Sequence, residues 1–99
     1  MKEEIKRWIE KAKKDLDTAG YLLKGKRYDE CSLFCQQSVE KALKAILLNK
    51  TNQIIRIHNL NILATKVNLP ENLRGLCEEL TMVYLITRYP DAPGLKNNF

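Results

Sequence analysis

Residues 31–48 read CSLFCQQSVEKALKAILL, and the fold follows from the patterning of this stretch. It holds neither glycine nor proline, and its apolar positions recur at helical rather than strand spacing. On a 3.6-residue wheel Phe34, Cys35, Ser38, Val39, Ala42, Ala45 and Ile46 share one broad face, which Leu43 and Leu47 widen into an arc of roughly 200°. A helix so apolar requires neighbours on several sides. The remaining strip carries Gln37, Glu40, Lys41 and Lys44. One reading makes it a solvated strip, with Gln37 and Lys41 one turn apart and Glu40 paired with Lys44 at i,i+4. The other makes it a recognition edge.

Upstream, the spacing predicts a helix from about Lys2 to Lys24. Ile5, Trp8, Ile9, Ala12, Leu16, Ala19 and Leu23 form a heptad-like stripe suited to shallow-angle packing on a neighbour. Gly25 is placed to end this helix in a left-handed cap, with Lys24 favourable at the negative end of the helix dipole. The short turn 25–30 leads straight into the central helix, so the first two helices form an antiparallel hairpin. Asp29 and Glu30 suit the positive end of the second.

Downstream, residues 54–57 are β-branched but have no strand to pair with, and read as an extended segment that packs its apolar side chains. Asn59 or His58 caps a third helix from about Leu60 to Val67, with Leu60, Leu63, Ala64 and Val67 on one stripe. Asn68 closes it, and Pro70 with Glu71 opens a fourth. That helix carries Leu73, Leu76, Cys77, Leu80, Val83, Tyr84 and Thr87 on one side and stops near Arg88. Pro90 and Pro93 prevent a regular helix beyond, leaving 89–99 as an irregular tail. The fold class is all-α, an up-and-down antiparallel bundle of about four helices in a single domain, 1–99.

Length and charge narrow the function classes. With 99 residues, 44% of them hydrophobic and 29% charged, the chain has the composition of an ordinary globular domain with a modest core. No run approaches the roughly 20 apolar residues of a membrane span, and the first eight residues are too charged to open a signal peptide, so a cytoplasmic protein without a membrane partner is expected. The net charge of +5 is concentrated in the first helix and the turn after it, where Lys24, Lys26 and Arg27 cluster. Such a patch attracts phosphate backbones, or is simply a solvated lysine-rich face. Cys31, Cys35 and Cys77 cannot all pair and read as buried, reduced thiols, because His58 is the sole additional soft ligand for a metal.

Motifs for common chemistries are missing: there is no glycine-rich phosphate loop, Cys-x-x-Cys, paired-histidine metal motif or nucleophile elbow. No cofactor is implied. His58 is the one side chain suited to proton transfer near neutrality, and its competing role is helix capping or packing. Arg88 to Asp91, reading RYPD, is a second polar cluster, whose plain reading is a helix stop with Asp91 paired to Arg88.

Several of these pieces together resemble a known family. Trp8 with Ala12, Asp15 and Leu16, the Tyr28-Asp29 turn, CQQSVEKALKA over 35–45, His58-Asn59-Leu60 followed by Leu63, and RYPD over 88–91 resemble the HEPN domain family in order and spacing. The resemblance implies a helical bundle that dimerises through helix faces. It also implies a prokaryotic setting beside a minimal nucleotidyltransferase, as a toxin–antitoxin pair, with nucleotide or RNA as ligand. Many members are metal-independent RNA endonucleases whose motif separates an arginine from a histidine by four to six residues. Here the three positions where that arginine would stand are Thr51, Asn52 and Gln53, and Arg56 lies only two before His58. Many members also continue into a further helix after the position of Asp91. A chain ending here is either a short form or lacks its C-terminus, and it would uncover apolar surface that favours dimerisation.

The expectation is therefore a homodimeric binding module of uncertain enzymatic status, leaning away from catalysis. It would bind a nucleotide or its partner protein through Gln37, Lys41, Lys44, His58, Arg88 and Asp91. The alternative is a ribonuclease toxin.

Overall fold

The structure, a computed structural model, describes residues 2–88. Four helices follow in order: α1 over Glu3–Lys24, α2 over Tyr28–Thr51, α3 over Leu60–Lys66 and α4 over Glu71–Arg88. This is the expected all-α bundle, with no strand among the described residues. None of its helices is long and apolar enough to cross a membrane. The tail 89–99, with Pro90, Asp91 and Pro93, lies outside the described residues.

Helix ends follow local chemistry. Glu3 and Glu4 sit in the first turn of α1 and Lys24 in its last, each matching the dipole. Gly25 does not adopt the predicted left-handed cap. Its φ is −84°, and the positive φ of 60° falls one residue later on Lys26. The Lys26 N–H donates to Leu23 O at 3.0 Å and the Arg27 N–H to Leu22 O at 2.8 Å, so the turn is closed by the last carbonyls of α1. Asn52 (φ 63°) ends α2 and Asn68 (φ 58°) ends α3, where asparagine tolerates the left-handed region. The Asn59 side chain accepts from the Ile62 N–H at 3.0 Å, which makes Asn59, not His58, the cap of α3. The Pro70 carbonyl accepts from Leu73 and Arg74 and starts α4.

Helix α2 divides the core in two. On one side Leu43 and Leu47 meet Leu60, Leu63, Ala64 and Val67 from α3 and its end, with Cys77 from α4. Ile55 and Ile57 of the extended segment pack against the same cluster, as the β-branched run suggested. On another side Ala45 and Leu48 meet Ile5 of α1, flanked by Trp8 and Ile9.

The rotation of the hairpin departs from the wheel. Ala42 and Ile46, expected inside, are exposed, whereas Lys44, expected on the polar strip, is buried. On α1, Leu16 and Leu23 are exposed and Asp15 is buried instead. The cause is polar pairing between the helices. Lys41 of α2 forms an ion pair with Asp15 of α1, and the Ser38 hydroxyl donates to Ala12 O at 2.7 Å. These contacts turn the polar side of α2 toward α1, and an apolar stripe is left facing outward. On α4, Cys77 is buried, but Leu73, Leu76 and Val83 are exposed.

Candidate functional site: a shared carboxylate at the polar edge

The extended segment after α2 sets up the site. Side chains alternate in extended backbone, so Ile55 and Ile57, anchored in the core, send Arg56 and His58 the other way. His58 thereby reaches the ridge of α2 that carries Glu40 and Lys44. Its Nδ1 lies 2.7 Å from Glu40 Oε2 and 3.2 Å from Lys44 Nζ, while Lys44 Nζ lies 3.0 Å from the same carboxylate oxygen. The expected Glu40–Lys44 pair is thus present, with His58 as a third member.

One nitrogen cannot donate to the carboxylate and accept from the ammonium at once. The carboxylate contact is the shorter, and Lys44 already has Glu40 as an acceptor. We therefore assign the proton of neutral His58 to Nδ1, which puts the lone pair on Nε2. The His58 side chain is 77% exposed, and Nε2 takes no hydrogen bond among the described residues.

Lys44 is committed to the interior. Its side chain is 6% exposed, and its ammonium stands 5.7 Å from the centre of the Trp8 ring, within cation–π range. Burying a lysine this far is tolerable because Glu40 neutralises it and Trp8 supplies a second attractive surface.

The predicted site residues therefore separate into groups. Glu40, Lys44 and His58 converge, and Lys41 stands one turn back along α2, occupied by buried Asp15. Gln37 lies a further turn along, partly buried and without a side-chain hydrogen bond among the described residues. Arg88 is the last described residue of α4, and Asp91 lies outside the described residues. Glu40 stood on the expected recognition strip but outside the expected binding set, and sequence reasoning gave no site role to Trp8 or to Asp15 as the partner of Lys41. Their i,i+4 and i,i+7 relations lie within a helix, but the partners lie across helices, and no local spacing reveals that.

Two of the three cysteines are poor nucleophiles. All three are free, and Cys77 is buried. Burial pushes the Cys77 thiol up, and burial with the neighbouring Cys31 does the same for Cys35, which keeps both protonated and poorly nucleophilic near neutrality. Cys31 and Cys35 are only partly buried, whereas all three cysteines were expected to be buried. Among the described residues no group of three or more His, Cys, Asp or Glu side chains could hold a metal ion.

A four-helix domain with an ordered histidine on a charged ridge is thus the class of protein in hand. The family model of the HEPN domain matches residues 5–97, and the chain belongs to the HEPN domain family. No curated protein and no solved structure matches it.

Proposed function

We propose that this HEPN domain is a helical binding module that works as a homodimer and takes a nucleotide, or a minimal nucleotidyltransferase as partner, at the His58 edge. In this reading it is the HEPN half of a prokaryotic toxin–antitoxin-type pair. The observation that carries the proposal is the exposed imidazole held by a carboxylate that a buried ammonium fixes in turn. Glu40, itself anchored by Lys44, orients the ring, and the groups left to meet a ligand are His58 and Gln37. The phosphates of a nucleotide, or acidic groups of a partner, would accept from His58 when it is protonated.

The dimer reading is supported by the stripe that rotation of α2 leaves open. Ile9, Ala12, Leu16, Ala42 and Ile46 line an apolar groove between α1 and α2, with Lys13 at its rim. Apolar surface of this kind, polar at its border, marks an association face, and the self-complementary contact of a twofold dimer suits a hairpin. Light scattering should give twice the 11.5 kDa chain mass. Ile46→Glu, at an exposed position, should give a folded monomer. A monomeric wild type overturns this part of the reading. For the ligand edge, titration with a nucleoside triphosphate should show binding that His58→Ala with Gln37→Ala weakens tenfold or more, a change of about 1.4 kcal/mol. Unchanged binding in the double variant removes the site assignment.

One observation favours the ribonuclease alternative. A histidine whose Nδ1–H is held by Glu40, with Nε2 facing solvent, has the arrangement of a general base fixed by a carboxylate. Against it stands the sequence itself, which lacks an arginine at the motif spacing to stabilise charge at phosphorus.

A further inference from the structure

The tip of the α1–α2 hairpin carries a second set of features, unrelated to the His58 edge. Tyr28 and Lys44 are separated by 16 positions along α2, which is about 24 Å of helix. At the tip Tyr21 is 83% exposed and Tyr28 60% exposed, and neither makes a hydrogen bond among the described residues. Tyr21, Leu22, Lys24, Gly25 and Arg27 line a shallow, mainly apolar depression. Lys24 and Lys26 have no ion-pair partner among the described residues, whereas Arg27 is held by Glu30 at 3.3 Å.

The backbone adds an independent observation. Lys26 holds a φ of 60°, a conformation that costs a side-chain-bearing residue roughly 1–2 kcal/mol relative to right-handed backbone. Gly25, next to it, could adopt that conformation freely and does not. A strained, cationic residue is thus fixed at the apex of a turn that two backbone hydrogen bonds keep closed.

We propose that the hairpin tip binds single-stranded nucleic acid. Tyr21 supplies a stacking face for a base, the depression beside it takes the edge of the ring, and Lys24 and Lys26 neutralise the flanking phosphates. Duplex is disfavoured, since its bases are already stacked and cannot lie on Tyr21. The sequence-independent chemistry of stacking and charge admits RNA or DNA strands, and the choice between them is read by the probe.

The test is fluorescence anisotropy of labelled oligouridylate and oligothymidylate with the full chain, over about 50 to 200 mM salt. Either probe should bind, more tightly than a duplex of equal length, and the tighter of the two names the source. Tyr21→Ala should weaken binding about tenfold, the effect of one lost stacked base, with helix content unchanged. Lys26→Gly removes the cation while relieving the backbone, so the fold is kept and the salt slope should fall by about 0.7, the share of one phosphate on a single strand. Absence of binding at the lowest salt overturns the proposal. So does binding that Tyr21→Ala leaves unchanged and polyglutamate displaces, which would make the tip a contact for acidic proteins.

Discussion

Replacing Lys41 by alanine should destabilise the protein by about 3 kcal/mol or more, because it strips the counter-charge from a carboxylate sealed between two helices. Asp15 is buried on α1, and Lys41 of α2 is its ion-pair partner. Without the ammonium, Asp15 is left as a buried carboxylate with no counter-charge or drags water between the helices, and either route costs free energy. The pair itself need not be strongly favourable relative to an apolar contact, so the second substitution is informative. Asp15→Leu added to Lys41→Met should recover much of the loss, since it removes both charges and fills the space. Urea unfolding checks this directly. For a domain of this length the single variant should melt about 10 °C lower or more. A single variant within about 0.5 kcal/mol of wild type would mean that water reaches Asp15 and that α1 and α2 are less tightly joined than described.

Leu63→Ala should be comparably severe, at about 3–5 kcal/mol. Leu63 has no solvent exposure and sits with Leu43, Leu47, Leu60, Val67 and Cys77 in the larger core cluster. Helix α3 is only seven residues long, too short to hold itself together without packing. Truncating its central side chain both leaves a cavity and loosens the element that fixes His58, which lies two residues before its first turn. Ile62→Ala, one position away but exposed, should cost far less and serves as the control.

The sequence made most of the fold legible and the site only in part. The order and bounds of the helices could be read because local rules set them. Asn59 caps, Asn68 closes, Pro70 starts, and the acidic first turns suit the dipole. Positions on the outer turns of α1 and α2 were misread because an apolar wheel reports how much surface wants burial, not which neighbour supplies it. Leu16, Ala42 and Ile46 look like core from spacing alone. They lie outside because Ser38 and Lys41 find Ala12 O and Asp15 across the hairpin, pairings that no periodicity encodes. The site behaves the same way. The Glu40–Lys44 spacing is helical and visible, but the union of that pair with His58 crosses 18 residues and depends on Ile55 and Ile57 docking.

The central claim is that the His58 edge binds and does not cut. It is tested most directly by incubating purified wild type and His58→Ala with a structured RNA in the presence of a chelator and following the RNA on a denaturing gel. Intact RNA in both reactions is the predicted result. Cleavage by wild type that disappears with His58→Ala would contradict the account and make Glu40 and His58 parts of a ribonuclease.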